Sequence, residues 1–263
     1  MIAESQLRNV TFIGSGNLST NLAGAFENAG HRIIDVFSRN LENATSLASK
    51  FEACNATDSL DFSKSKAEVF IIAVSDSAIA EVVDKMKVPE NSLVLHTSGT
   101  TNLEVLDGIL DSAQVGIFYP LQTFKRNTVI DFSEVPILIE SKNEASTLEI
   151  ELLAASISKN VQFVNSEDRK TIHLAAVFAS NFTNRMLKAS EEILASKAIP
   201  LELLKPLVLQ SIENCFDTSP DDALTGPAKR RDIDTINQHI EMLVANPKLK
   251  ELYKLVSDRI LNC

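Results

Sequence analysis

Apolar residues in the first 164 positions come in short runs of four to seven residues: Asn9–Gly14 (NVTFIG), Arg32–Ser38 (RIIDVFS), Glu68–Val74 (EVFIIAV), Ser92–His96 (SLVLH), Val115–Phe118, Ile137–Glu140 and Val161–Val164. Between them the apolar spacing turns helical. Leu18, Leu22, Ala25, Phe26 and Ala29 recur in this way within Asn17–Gly30. Leu41–Phe51, Ser75–Met86 and Asn102–Leu110 follow suit, and another helix is expected near Ser146–Ser158. Strands alternating with helices predict a mostly parallel sheet covered on both faces. The uninterrupted apolar run at Glu68–Val74 suits a strand buried on both sides.

From Ser166 the pattern changes. No Gly or Pro occurs until about Ala198, which predicts one long helix. Asn165 or Ser166 can cap it, and Glu167 and Asp168 suit its first turn. Further helices are expected at Leu201–Phe216, Arg231–Leu243 and Pro247–Leu261. The reading is therefore an α/β domain over residues 1–164 followed by an all-α domain over residues 165–263.

Composition supports the division. Of the eight glycines, seven lie at or before Gly116, and the Gly-poor remainder suits helices. Residues 1–155 hold 11 Lys and Arg against 21 Asp and Glu, a net of −10, while residues 156–263 hold 14 of each. A chain of net charge −10 is a poor binder of polyphosphate, so nucleic acid is not an expected partner. Cys54, Cys215 and Cys263 are scattered, with no CxxC and no Cys/His cluster. No structural metal is expected, and free thiols suit a reducing cytoplasm. The beginning of the chain shows no apolar signal region, and no apolar run is long enough to span a bilayer, so a cytoplasmic protein with no membrane partner is expected.

The first turn carries the clearest chemistry. Gly14-Ser15-Gly16-Asn17-Leu18-Ser19 fits G-x-G-x-x-S, a variant of the dinucleotide fingerprint, between a predicted strand and a predicted helix. Gly14 makes the tight turn and Gly16 lets a pyrophosphate approach the backbone. The helix start then offers free N–H groups and the positive end of its dipole. Ser19 stands where the third glycine is usual, which predicts slightly looser helix–strand packing. At the end of the second strand NAD enzymes usually carry an acid. Here Ser38-Arg39-Asn40 stands there instead, with Asp35 inside the strand. Arg39 is a bidentate phosphate donor, and Ser38 and Asn40 can add hydrogen bonds, which favours the 2′-phosphate of NADP(H).

The runs GSGNLS, FSRN and IIAVSDSAI resemble pyrroline-5-carboxylate reductase and relatives of 6-phosphogluconate dehydrogenase. Four more segments sharpen the likeness: His96-Thr-Ser-Gly99, Tyr119-Pro-Leu-Gln-Thr-Phe124, His173-Leu-Ala-Ala-Val-Phe-Ala-Ser-Asn181 and Leu224-Thr-Gly-Pro227. With these the chain resembles a family of NADP oxidoreductases in which a Rossmann-like domain precedes a helical domain of unknown function. Some members of that family are similar to deazaflavin-dependent NADP oxidoreductases. The resemblance covers most of the chain. It implies a Rossmann-type sheet, NADP(H) as cofactor and a homodimer packed through the helical domains. Two positions depart from the family pattern: Tyr119 stands where His is frequent, and Arg231 where glycine is common. In β-hydroxyacid dehydrogenases the equivalent long helix carries a catalytic Lys followed by Asn, but this chain has no Lys between Lys170 and Lys188.

Candidate site residues follow. Val74, Ser75, Thr97 and Ser98 end predicted strands, where a parallel sheet binds its cofactor. His96 there is a candidate proton donor or a buried residue bonded to backbone. Thr97 and Ser98 are candidate ligands or mere helix caps. Ser98, Gly99, Tyr119 and Gln122 are candidate substrate contacts, with Pro120 and Phe124 shaping the loop. On the long helix His173, Val177, Ser180 and Asn184 lie within about 40° of one another at 3.6 residues per turn, and Asn181 roughly 80° from His173. His173 is the candidate general acid, with Asn181 and Asn184 beside it. Thr225, Lys229 and Arg230 of Leu224–Asp232 are candidates for holding a substrate carboxylate or phosphate. The function these residues point to is NADPH-dependent reduction of a small, anionic carbonyl or imine compound bound between the domains. A non-catalytic NADP(H) sensor and an interaction protein whose helical half only dimerises are the alternatives.

Overall fold

The computed structural model describes residues 7–109, 113–125, 128 and 130–262. The first six residues, Leu110 at the end of one expected helix, and Cys263 lie outside the described residues. The chain divides into two compact units, Met1–Ser180 and Asn181–Cys263. The last strand ends at Phe163 and the next helix begins at Ser166, and that helix belongs to the first unit.

The first unit holds an eight-stranded sheet: β1 (Asn9–Ile13), β2 (Arg32–Phe37), β3 (Asn55–Thr57), β4 (Val69–Ile72), β5 (Ser92–His96), β6 (Ala113–Pro120), β7 (Ile137–Ser141) and β8 (Val161–Phe163). Their spatial order is β3-β2-β1-β4-β5-β6-β7-β8. Every neighbouring pair is parallel except β6 and β7. The order reverses direction between β1 and β4, so the ligand crevice of such a sheet opens beyond the C-terminal ends of those two strands.

Five helices accompany the sheet: α1 (Asn17–Asn28), α2 (Leu41–Ala48), α3 (Asp76–Lys85), α4 (Glu144–Ala155) and α5 (Ser166–Ala176). The segment expected as a helix from Asn102 is a 3₁₀ turn, Leu103–Ile109. Strand pleating divides the core in two. Val10, Phe12, Val69 and Ile71 face Leu22 and Phe26 of α1 and Ile150 and Leu153 of α4. Ile13, Phe70 and Ile72 face Ile79, Val82 and Val83 of α3, with Leu103 and Leu106 beside them. Burying each such side chain contributes about 2 kcal/mol. Ser19, at the third glycine position, is fully buried in α1.

The second unit consists of α6 (Thr183–Ala195), α7 (Lys205–Asp217), the short α8 (Pro220–Ala223), α9 (Ile233–Met242) and α10 (Pro247–Leu261), with a 3₁₀ turn at Leu201–Leu204. Ser219, Asp232 and Asn246 cap α8, α9 and α10 by accepting backbone N–H bonds. Arg231 adopts a left-handed backbone, φ 57°. Glycine adopts that region freely, whereas a side chain there costs about 1 kcal/mol.

The long helix expected from Ser166 to Ala198 is interrupted. A π-helical stretch, Val177–Phe182, separates α5 from α6. A π-turn advances fewer degrees per residue than an α-turn, so the 3.6-residue count does not carry beyond Val177. The expected alignment of Ser180, Asn181 and Asn184 with His173 is corrected accordingly. Asn181 and Asn184 are exposed and fall in the second unit.

Gly116 tests the sheet packing. A Cβ there would meet Ile150 Cδ1 at 2.2 Å and the Glu140 carbonyl oxygen at 2.8 Å. The latter is β7 backbone and cannot step aside. Gly116→Ala is expected to lower the unfolding free energy in urea by about 2 kcal/mol. Gly24→Ala, where a Cβ meets nothing within 4 Å, is expected to raise it by up to about 1 kcal/mol.

Candidate active site

Gly14 has φ 120°, and a Cβ on it would lie 2.2 Å from the Ala73 carbonyl oxygen. The turn after β1 therefore runs directly against the turn after β4, and only glycine fits. Gly16 is the opposite case, with nothing within 4 Å of where its Cβ would stand. The backbone at the start of α1 thus faces open space that a phosphate can enter. Gly16 caps α1 with no side-chain bond, and the first turn holds no acid. By contrast Asn40, Asn143 and Asn165 cap α2, α4 and α5. The start of α1, with Asn17 and Leu18 in its first turn, keeps its N–H groups and dipole end for an anion.

Beside this helix start lies a groove of about 360 Å³. Of the expected cofactor residues, Gly14, Ser15, Ser38, Arg39, Val74 and Ser75 line it. Glu81 and Lys85 of α3 line it too, and the sequence reading missed both. A larger recess of about 550 Å³ opens beside Asn9, Arg32 and Asp35. It includes the first residues of β1 and β2, the wrong end of the sheet for a nucleotide. The Asp35 carboxylate there already accepts bonds from Thr11, Asn55 and Ser65.

Several expected ligands are spent on the fold. The Asn40 side chain accepts the Glu42 N–H at 2.9 Å as the cap of α2. The Asn17 amide donates to the Phe124 carbonyl at 3.1 Å and so ties the loop after β6 to α1. Thr97 is buried and its hydroxyl donates to the Ile72 carbonyl at 3.2 Å. Ser98 accepts N–H bonds from Thr100 and Thr101 at 3.1 and 2.9 Å. Gln122 folds its side-chain oxygen onto the Thr123 N–H at 2.8 Å.

His96 is corrected most clearly. It has no exposed surface. Its Nδ1 accepts the Ser98 N–H at 3.2 Å, which leaves the proton on Nε2, 3.4 Å from the Asn102 carbonyl oxygen. Burial first, and the Arg169 charge second, push its pKa down to about 4. A neutral imidazole with both nitrogens engaged is a brace for the strand end and not a proton donor.

Gly99, Tyr119 and His173, distant in sequence, do come together. The Tyr119 hydroxyl lies 3.0 Å from His173 Nδ1. A Cβ on Gly99 would stand 2.5 Å from that same Nδ1 and 2.9 Å from Tyr119 Cζ. The missing side chain is what lets the pair sit against the turn after β5. Both side chains are half-buried. Burial first, and then the Asp76 charge, raise the Tyr119 pKa, opposed by Arg169. The phenol therefore keeps its proton at neutral pH. It can donate to Nδ1 of a neutral imidazole or accept from Nδ1–H of an imidazolium, so the contact serves either charge state of His173.

Two further groups escaped the sequence reading. Asp76 opens α3 and accepts the Thr100 hydroxyl at 2.6 Å, joining the turns after β4 and β5. Its acid directly after a buried strand was the available signal. Arg169 is fully buried and paired with Glu140. Only its place one turn before His173 hinted at it.

In the second unit Thr225 lines a mostly apolar cavity of about 370 Å³ with Pro227, His239 and Tyr253. Lys229 and Arg230 are exposed, and the Lys229 ammonium donates to the Asp221 carbonyl at 3.3 Å.

A family model described as NADP oxidoreductase, coenzyme F420-dependent, matches residues 9–98. A second, a domain of unknown function (DUF2520), matches residues 135–260. A solved structure from Bacteroides fragilis, under the provisional name NADP oxidoreductase, is 35% identical over 98% of this chain and 99% of its own, with a TM-score of 0.89. The chain belongs to this NADP oxidoreductase family. Two more distant structures share the fold. A reductive aminase from Aspergillus terreus, solved with NADPH and ethyl-5-oxohexanoate, has a TM-score of 0.72 at 12% identity, covering 97% of this chain and 94% of that one. A 1-pyrroline-5-carboxylate reductase from Streptococcus pyogenes has a TM-score of 0.61 at 13% identity, covering 98% and 100%. No curated protein matches the chain. No helix among the described residues is long and apolar enough to cross a membrane.

The buried state of His96 makes a pH test. Its folded pKa lies below the ordinary 6.5, so below that pH the unfolded chain takes up a proton that the folded chain refuses. Stability is full above pH 6.5 and falls as the pH drops toward 4. Urea unfolding between pH 6.5 and 4.5 is expected to show a loss that shrinks by about 2 kcal/mol in His96→Gln. An unchanged slope would mean that His96 titrates freely.

Proposed function

We propose that this family member is an NADPH-dependent reductase of a small, anionic carbonyl or imine compound. The observation that carries the reading is a single crevice end with two fittings. An uncapped helix start beside Arg39 suits a phosphorylated dinucleotide, and a Tyr–His pair stands at the turn after the neighbouring β5. Gly14, Ser15, Gly16, Asn17 and Leu18 would hold the pyrophosphate by backbone N–H groups, and Ser38 and Arg39 the 2′-phosphate. Val74 and Ser75 would close the groove. NADPH, when bound, supplies a hydride to an electrophilic carbon.

The chain supplies the proton. His173, as imidazolium, donates Nδ1–H to the Tyr119 oxygen and offers its Nε2 proton to the substrate oxygen or nitrogen. Tyr119 fixes the ring by that bond, and Gly99 leaves it room. Lys229 and Arg230 are the basis for an anionic substrate.

Titration of nicotinamide fluorescence should show NADPH binding, weakened about tenfold or more in Arg39→Ala with NADH little changed. Reduction of a panel of oxo acids and cyclic imines should fall by about a hundredfold or more in His173→Ala, with the NADPH titration unchanged. Binding without turnover of any member would favour the sensor. Failure of both nucleotides to bind would overturn the reading.

The second unit is proposed to pair with a second copy. Leu203, Leu207, Phe216, Met242 and Leu255 are each 65–87% exposed, a large apolar cost if left in water. Sedimentation equilibrium is expected to give twice the 28.8 kDa chain mass, and Phe216→Glu with Leu207→Glu to return it toward one chain.

A further inference from the structure

The groove beside Arg39 contains a second cation that the fingerprint does not foresee. On α3, residues 78, 81, 82 and 85 fall on one helical stripe, and all four line the groove. The stripe is a small residue, an acid, an apolar residue and a base: Ala78, Glu81, Val82, Lys85. The Lys85 ammonium donates to the Glu81 carboxylate at 2.7 Å. The Arg39 charge reaches the same carboxylate and, after Lys85, helps to hold it below its ordinary pKa. Glu81 thus lies within the electrostatic reach of both cations. A nucleotide 2′-phosphate carries close to two negative charges at neutral pH, as phosphate monoesters do. One guanidinium balances only half of that.

We propose that Lys85 is the second cationic ligand of the cofactor 2′-phosphate and that Glu81 is the partner it leaves when the phosphate binds. The inference rests on the NADPH reading above. In the free protein Glu81 keeps Lys85 on the groove side of α3. When the phosphate enters beside Arg39, the ammonium exchanges a carboxylate oxygen for a phosphate oxygen and no covalent bond changes. Glu81 then becomes a nearby negative charge that opposes the phosphate. Its removal should strengthen NADPH binding, while removal of Lys85 should weaken it. NADH, with a 2′-hydroxyl, engages neither effect. Lys85 accordingly sets discrimination between the two nucleotides and not affinity for dinucleotides in general.

The test is equilibrium binding of NADPH and of NADH to the full chain, followed by nicotinamide fluorescence, for wild type, Arg39→Ala, Lys85→Met, Lys85→Arg and Glu81→Gln. The Glu81–Lys85 pair is exposed on one helix and contributes little to stability, so each variant should fold, which thermal melts verify. Lys85→Met should raise the NADPH dissociation constant about five- to tenfold and leave NADH within twofold. Lys85→Arg should keep most of the NADPH affinity, and Glu81→Gln should tighten NADPH alone. If Arg39→Ala weakens NADPH and Lys85→Met does not, the inference is overturned while the cofactor reading stands. Equal weakening of NADPH and NADH by Lys85→Met also overturns it, since Lys85 would then act away from the 2′-position. If wild type binds neither nucleotide, the cofactor reading fails and the inference fails with it.

Discussion

The Arg169–Glu140 ion pair fixes where α5 meets the sheet, and the candidate acid depends on that placement. Arg169 has no exposed surface, and Glu140 only 13%. The guanidinium also donates to the Thr101 carbonyl at 2.6 Å and the Ser166 hydroxyl at 3.1 Å, and Ser166 in turn donates to Glu140 at 2.7 Å. One side chain therefore gathers β7, the turn after β5 and the first turn of α5. Its Nε has no protein partner, so the arrangement gives up one hydrogen bond to make the others. Removing one member of such a pair leaves a bare buried charge, at a cost of about 3–5 kcal/mol. His173 follows Arg169 by one helical turn on the same face. Across the sheet, Glu140 pairs with Ile117, two residues before Tyr119 on the same strand face. Two successive rungs thus bind α5 to the sheet, an ion pair at the first and the Tyr119–His173 contact at the second.

Helix capping shows a division of labour around the switch point. α2, α4 and α5 each receive an asparagine cap. Of the first unit's α-helices among the described residues, the two without a side-chain cap bond, α1 and α3, are the ones that follow β1 and β4. Those strands flank the reversal in sheet order. Their following turns touch at Gly14 and Ala73, so closely that no Cβ fits. Both helix starts therefore lie at the end of the strands where a parallel sheet takes its ligand. An asparagine at residue 16 would cap α1 and close the space that Gly16 leaves open.

Most of the fold was legible because it rests on local periodicity. All seven expected strands form. The eighth, β3, escaped notice because a three-residue edge strand of Asn-Ala-Thr has no apolar run to show. The long helix departs from the expectation at its π-helical stretch, Val177–Phe182, which a 3.6-residue periodicity does not show. The candidate site was legible where chemistry and backbone coincide. Gly14, Gly16 and Arg39 announce themselves by glycine spacing and by charge at a strand end. Glu81, Lys85, Asp76 and Arg169 were hidden because a charge on an amphipathic helix reads the same whether it faces solvent, a groove or a buried carboxylate. Thr97, Ser98 and Asn40 are ambiguous for the converse reason. Short polar side chains at strand ends bond their own turns as readily as a ligand.

The first unit's three histidines show what sequence could not weigh. His31 accepts the Arg8 N–H on Nδ1 and places its other nitrogen 2.9 Å from Ser156, with a pKa lowered by burial first and the Arg8 charge second. His96 is likewise spent at both nitrogens. His173 differs at Nδ1, where its partner is a phenol that can donate or accept. His31 and His96 are bound at Nδ1 by backbone N–H groups, which only donate, so protonating either ring breaks a bond in the interior. The Tyr119 hydroxyl at His173 Nδ1 is compatible with either form of the ring. Whether a contact at Nδ1 survives a change of charge thus follows from the partner's chemistry, and the histidine beside Gly99 is the one of the three whose Nδ1 partner is a hydroxyl.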